Sequence, residues 1–427
     1  MNSSGQTGAS AAARNAMVTL SDIRAAHARI RSSIYVSPCT KSETFSRLTG
    51  NSVYLKLENR QRTGAYKERG ALNKLLSLTN EERALGVIAA SAGNHAQAVA
   101  YHASNLGIRA RIVMPLPTPL IKVSATRGYG ADVVLHGSNY DEAYEEALRL
   151  SAQDRLTFVH AFDDDAVIAG QGTLGLELLE QYPDLEAVVV PVGGGGLIGG
   201  LGCALKETNP RIQVFGVQPS RLPSARVALA EAKSVTLPSA VTIADGIAVR
   251  RTGQRTFPLI QKYVDDIVTV EEEEIANAVL LLLEREKILA EGAGAAALAA
   301  LVNHRIPGLH NSLSRDNGGK KVIAVISGGN IDVTLLARII ERGLVKDGRL
   351  VRLRVHLPDY PGALHRLTGI LAQHRANIVE TSYDRAYHNV NLGDTAIDIT
   401  METRGPDHIE ELISALGSNG YTHERIL

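Results

Sequence analysis

Between about residue 50 and residue 330, short apolar runs alternate with amphipathic stretches. The apolar runs are VYLKLE (Val53 to Glu58), VIAAS (Val87 to Ser91), ARIVMP (Ala110 to Pro115), ADVVLHG (Ala131 to Gly137), EAVVVPV (Glu186 to Val192), QVFGVQ (Gln213 to Gln218) and KVIAVIS (Lys321 to Ser327). Such runs predict strands buried on both faces, and the amphipathic stretches between them predict helices, so the fold class is α/β with a parallel sheet. Several runs end in a glycine-bearing turn, where sheets of this kind keep their ligands.

Beyond about residue 340 the period changes. RLVRLRVHL (Arg349 to Leu357) alternates strictly, and Asp359 and Pro361 then open an amphipathic helix. NIVETSYDRA and TAIDITMET read as strands, PDHIEELISALGSNG as a second helix and YTHERIL as a last strand. This βαββαβ order predicts a separate, small ferredoxin-like domain.

Length, 427 residues, suggests two or three domains. Basic and acidic residues balance at 45 each, so no global field recruits nucleic acid or an anionic membrane; small metabolites suit the chain better. The two cysteines, Cys39 and Cys203, form no metal or disulfide pattern, and no metal ligand set is expected. These features predict a cytoplasmic protein with no membrane span. Residues 1–16 are small and polar, as in a disordered tail.

Four stretches carry chemistry. VVVPVGGGGLIGGLGCALKE (Val188 to Glu207) is a strand, four glycines and a helix, in which successive backbone N–H groups can converge on an anion such as phosphate. Gly194, Gly196 and Gly199 also satisfy a dinucleotide motif, but no carboxylate ends the next strand to hold a ribose. In TGAYKERGA, Lys67 stands where a strand turns into a helix, either as a surface charge or as an amine made nucleophilic by desolvation. SAGNHAQ places Ser91, Asn94 and His95 at a strand end, able to grip a carboxylate or merely to cap a helix. ISGGN leaves Ser327 at another strand end.

Taken in order and at these separations, the four stretches resemble the fold type II (tryptophan synthase β-like) pyridoxal-phosphate enzymes, and among them the threonine and serine dehydratases. The resemblance covers residues 17–340, with a small subdomain of about 55–155 inserted in a large one. Residues 348–427 resemble an ACT regulatory domain through Asp359, Pro361, Gly362 and Leu364. It implies pyridoxal 5'-phosphate as cofactor and elimination of ammonia from L-threonine, and also from L-serine, to give 2-oxobutanoate or pyruvate, in isoleucine formation or threonine breakdown. Lys67 would carry the cofactor and, once freed, take the α-proton. Asn94 would bond the ring hydroxyl, Gly193, Gly194, Gly195, Gly196 and Leu197 would cradle the phosphate, and Ser327 would meet the pyridine nitrogen. Ser91, Ala92, Gly93, Asn94 and His95 would bind the substrate carboxylate. A homo-oligomer, dimer or tetramer, is implied. So is an amino-acid effector bound between paired ACT domains, at Asp359 to Gly362 and the facing Asn377 and Ile378; the pathway that a threonine lyase would feed suggests a branched-chain inhibitor.

The chain departs from the family pattern in places. Ala65 and Tyr66 precede the lysine where serine and phenylalanine are commoner, and Ala92 stands where serine racemases have a second serine as acid. Gln218 replaces the carboxylate of the family's divalent-ion site. Open alternatives are a lyase for serine or threo-3-hydroxyaspartate, a racemase-like enzyme, and a ligand sensor without chemistry. A hydroxyaspartate lyase would want a cation near His95 or from Arg250 and Arg251. The loops TIADGIAV (Thr242 to Val249) and AEGAGAA (Ala290 to Ala296) would touch the β-substituent.

Overall fold

The computed structural model describes residues 17–309, 319–384 and 393–426, so the expected tail at 1–16 lies outside the described residues. The chain divides into two compact units, Met1–Ile331 and Asp332–Leu427.

The first unit holds two sheets. Strands β1 (Cys39–Lys41) and β2 (Ser52–Leu57) belong to the larger, and β3 (Val87–Ala90), β4 (Ala110–Met114), β5 (Asp132–Leu135) and β6 (Thr157–Phe158) form the smaller, in the order β5-β4-β3-β6 with all strands parallel. The chain then returns to the larger sheet through β7 (Ala187–Pro191), β8 (Gln213–Pro219), β9 (Asp266–Val270) and β10 (Lys321–Ile326). Its order is β1-β2-β10-β7-β8-β9, parallel except for β1. Every residue of β7 and of β3 is buried, because helices cover both faces.

Two features fix the helices that reach the site. Helices Asp165–Gln181 and Gly196–Thr208 touch backbone to backbone: a Cβ on Gly200 would come within 2.9 Å of Gly172 N. The helix Lys67–Leu76 is tied down by a buried ion cluster. Arg69 clasps Glu58 through Nε and Nη2, both at 2.8 Å, and its Nη2 also donates to Glu177 Oε2 at 2.7 Å. Lys56 Nζ pairs with Glu177, and Ser37 Oγ donates to Glu58 Oε1 at 2.6 Å. Burial alone would push the Glu58 carboxyl up, but Arg69, Lys56 and Ser37 together hold it below the usual range.

The second unit begins with the helix Val333–Lys346. Strands β11 (Leu350–Pro358), β12 (Asn377–Asp384), β13 (Asp394–Glu402) and β14 (Thr422–Ile426), with helices Ala363–Gln373 and Pro406–Ser418, follow the βαββαβ order expected from the alternation. The sheet is antiparallel in the order β12-β13-β11-β14, and Leu353, Val355, Leu367, Ile399 and Leu412 are among its core residues.

Candidate active site

The C-terminal ends of β2, β3, β6, β7 and β10 converge, and there the sequence-predicted residues meet. The chain before Lys67 is zipped to the chain after β10: Ala65 bridges Gly328, and Tyr66 N donates to Ser327 O at 3.0 Å. Gly64 permits this with a φ of +77°, since a Cβ there would crowd Asn330 as well. Lys67 is thereby set at the first position of its helix, and its Nζ donates to Ala161 O at 2.8 Å. Burial pulls its amine down to about 8, against the opposing charge of Glu291.

Asn94 opens the helix Asn94–Asn105 after β3. Its Oδ1 accepts from Asn330 Nδ2 at 2.8 Å and its Nδ2 donates to Glu291 Oε1 at 2.7 Å. Asn330 Nδ2 also reaches Thr63 O at 2.7 Å, so one amide joins the lysine turn to the asparagine helix. Glu291 is buried, and its carboxyl is pushed up to about 7 by desolvation and then by Asp245. Ser327 is buried beside this group, and the missing side chain of Gly328 makes room for the carboxyl.

The glycines after β7 form a tight turn into helix Gly196–Thr208. Gly195 has a φ of +97° and no side chain caps the helix. A Cβ on Gly194 would overlap the Phe162 ring, one on Gly195 would lie 2.6 Å from Ile260 Cδ1, and one on Gly196 would lie 3.0 Å from Phe162 Cβ. Thr256 Oγ1 donates to Gly194 O at 2.6 Å, and Gln218 Nε2 donates to Val192 O at 3.1 Å just ahead of Gly193. Leu197 sends its side chain into the core, so only its backbone faces the turn. Lys67 and the glycines are linked by consecutive residues: Ala161 receives the lysine and Phe162 covers Gly194.

Ser91, Ala92 and Gly93 are partly exposed at the end of β3, and Ser91 Oγ accepts from Gly93 N at 3.2 Å. His95 is buried, with Nε2 bonded to Val159 O at 2.9 Å and Nδ1 without a hydrogen-bond partner. Donation to a carbonyl requires the proton on Nε2, which leaves Nδ1 as an open acceptor. Burial and then Lys67 push its pKa down to about 3, so His95 is neutral. Arg250 pairs with Asp141 at 2.7 Å and donates to Leu237 O, while Arg251 Nε donates to Ser234 Oγ at 3.2 Å.

The effector residues are not brought together within one chain. Asp359 follows the β11 end that pairs with Asp394, and its N donates to Gly393 O at 2.9 Å. Gly362 lies in the same turn, with a φ of +95°. Asn377 and Ile378 begin β12 opposite Glu402 and Met401, at the other end of the sheet. A strand of nine residues separates the two ends, roughly 25 Å.

Sequence reasoning missed Glu291, Asn330, Phe162 and Thr256 as site residues. The loop AEGAGAA was singled out, but for its small residues rather than for the glutamate within it; Asn330 closes the ISGGN motif that named Ser327.

The chemistry of this set fits pyridoxal phosphate: a buried amine whose proton is loosened by burial, an amide and a hydroxyl at converging strand ends, and a glycine turn where a Cβ would meet its packed neighbours. The family model for "Pyridoxal-phosphate dependent enzyme" matches residues 30–328. The chain is 48% identical over 405 residues to an L-threonine ammonia-lyase of Thermotoga maritima, covering 95% of this chain and 98% of that one. It resembles the structure of processed threonine deaminase isoform 2 from Solanum lycopersicum, with TM-score 0.70 and 38% identity over 75% of this chain and 86% of that one. Maize serine racemase gives TM-score 0.71 and 33% identity over 78% of this chain and 99% of that one.

Proposed function

The chain belongs to the pyridoxal-phosphate-dependent enzymes and, among them, to the threonine ammonia-lyases, and from that premise we propose how its residues divide the elimination of ammonia from L-threonine. When bound, pyridoxal phosphate supplies an electron sink for the pair left when a Cα–H bond breaks. Lys67 would hold it, and its Nζ would serve as the base that takes the α-proton. The juxtaposition of Lys67, Ala161, Phe162 and Gly194 carries this reading: it sets the amine at a fixed reach from an anion cup.

Gly193 to Leu197 hold the phosphate through backbone N–H groups, with Thr256 and Gln218 fixing the turn. Asn94 would donate to the ring hydroxyl. Ser327 would meet the ring nitrogen as a neutral partner, which would weaken the sink and favour loss of the β-hydroxyl over reprotonation elsewhere. Ser91 to His95 would bind the substrate carboxylate through the Ser91 hydroxyl and the backbone N–H groups at the helix start, the His95 ring being committed to Val159 O. The products are 2-oxobutanoate from threonine and pyruvate from serine, each with ammonia. His95 is neutral and Arg250 is already paired, which favours an uncharged β-substituent over hydroxyaspartate. Ala92 offers no acid on the second face of the substrate, which argues against racemisation.

The second unit is an ACT domain in this reading. Because Asp359 and Asn377 lie at opposite ends of one sheet, the effector site forms between two copies, the turn Asp359 to Gly362 of one facing Asn377 and Ile378 of another. The enzyme is then an oligomer inhibited by a branched-chain amino acid. Release of 2-oxo acid from L-threonine by the cofactor-loaded protein, absent in Lys67→Ala, tests the lyase assignment. Unchanged kinetics and no calorimetric binding with valine, isoleucine and leucine would remove the effector assignment.

A further inference from the structure

Glu291 has no part in the division of labour above, yet its carboxyl reaches the centre of the cradle. It precedes the helix Gly292–Val302 without capping it through its side chain, and its N donates to Gly328 O at 3.1 Å, which locks it to the turn carrying Ser327. A side chain on Gly328 would collide with Oε1, so that glycine is what admits the carboxyl.

The Asn94 amide cannot turn round. Its Oδ1 is held by Asn330 Nδ2 at 2.8 Å, and a flip would set Oδ1 against the Glu291 oxygen that now accepts from Nδ2 at 2.7 Å. Of the two hydrogens on Nδ2, one is therefore committed to Glu291, and the other is the donor that the proposed function gives to the cofactor's ring oxygen. A carboxylate and an ionised ring oxygen would then bond the same nitrogen, with the carboxylate buried. Two negative charges so placed repel, and one proton between them relieves the repulsion.

We infer that Glu291 is a positioning residue that holds a proton for the ring oxygen of bound pyridoxal phosphate, the two acids being coupled through the Asn94 amide. The inference rests on the cofactor reading of the cradle. As pH rises, the shared proton leaves to solvent and a carboxylate charge appears beside the ring, which changes the ring's visible absorption. Three charged groups face Glu291 from the packed elements: Asp245 from the segment after Ala244, Lys122 from helix Leu120–Gly128 and Lys67 from its own helix. Asp245 and Lys122 pair at 2.8 Å, so Lys122 offsets part of the Asp245 charge at Glu291. The raised affinity of Glu291 for its proton agrees with the geometry.

The experiment is a spectrophotometric titration of the holoenzyme from about pH 6 to about pH 9, without substrate, for the wild type, Glu291→Gln and Glu291→Asp. The expected result is a band shift with a midpoint near neutrality in the wild type, its loss in Glu291→Gln, and a displaced midpoint in Glu291→Asp. A wild-type spectrum flat across the range, or the same shift surviving in Glu291→Gln, overturns the proposal. Should Glu291→Gln fail to take up cofactor, the aspartate variant decides: an unmoved midpoint overturns the proposal and a displaced one supports it. Wild-type protein that binds no pyridoxal phosphate would instead refute the cofactor reading itself.

Discussion

Lys67 Nζ donates to Ala161 O at 2.8 Å, and the residue after Ala161 lays its ring over Gly194. A residue from the start of a helix and a turn after β7 are thus coupled through one dipeptide. The amine is held on a backbone carbonyl whose neighbouring ring packs on the anion cup, which suits a cofactor anchored at both ends.

Lys67→Ala should abolish 2-oxo acid release, by on the order of 10³-fold or more, the upper range for loss of an acid–base group. Lys67→Arg should fail equally, because guanidinium stays protonated and cannot attack or accept a proton. Both variants should still bind pyridoxal phosphate in the cradle, without the absorption of a covalent complex. Retained covalent absorption in Lys67→Ala would move the anchor to another lysine.

The pH dependence of cofactor uptake follows from the same amine. Its pKa in the folded protein is lowered from 10.5 to about 8, so the reactive neutral form grows as pH rises through about 8. Mixing apoprotein with pyridoxal phosphate should give a covalent association rate that increases from pH 7 towards pH 9, with its midpoint near 8. Between pH 8 and 10.5 the folded state binds fewer protons at this site than the unfolded state, so the apoprotein should also gain stability with rising pH there. A midpoint near the ordinary lysine value would show an exposed amine.

Gly194→Ala should disturb the cup through Phe162, whose ring occupies the space the new methyl needs. Overpacking of this kind costs about 1–3 kcal/mol. The loss should fall on phosphate recognition: affinity for pyridoxal phosphate drops more than affinity for pyridoxal, measured by fluorescence titration. Adding Phe162→Ala should restore part of it. Equal losses for both ligands would mean that the turn does not hold the phosphate.

The glycine cup, the lysine turn and the βαββαβ order could be read directly because each is a local pattern: glycines after an apolar strand, a strand-to-helix junction, strict alternation. Glu291 could not. Its partner Asn94 is 197 positions away, and its burial depends on Gly328 in a third segment, so nothing near Ala290 to Ala296 distinguishes it from a surface glutamate. The effector residues show a similar limit. The resemblance put them in a site between paired domains, and the order β12-β13-β11-β14 and the register set Asp359 and Asn377 at opposite ends of one sheet.

The buried ion cluster beneath the lysine helix gives a prediction with a sign in pH. Arg69 lies two residues after Lys67, and Glu58, Glu177 and Lys56 surround it out of water. Removing one member leaves an uncompensated charge, so Glu58→Ala should cost about 3–5 kcal/mol in denaturant unfolding. Cofactor affinity should fall with it, because the helix that starts at Lys67 loses its anchor. The Glu58 pKa in the folded state lies below its ordinary 4.5. Its contribution is therefore complete above that value and lost as pH falls through the lower, folded one. The gap in stability between wild type and Glu58→Gln should accordingly narrow as pH is lowered from neutrality into the acid range. A gap unchanged down to the acid transition would mean that Glu58 is not held ionised by Arg69, and that packing rather than charge fixes this helix.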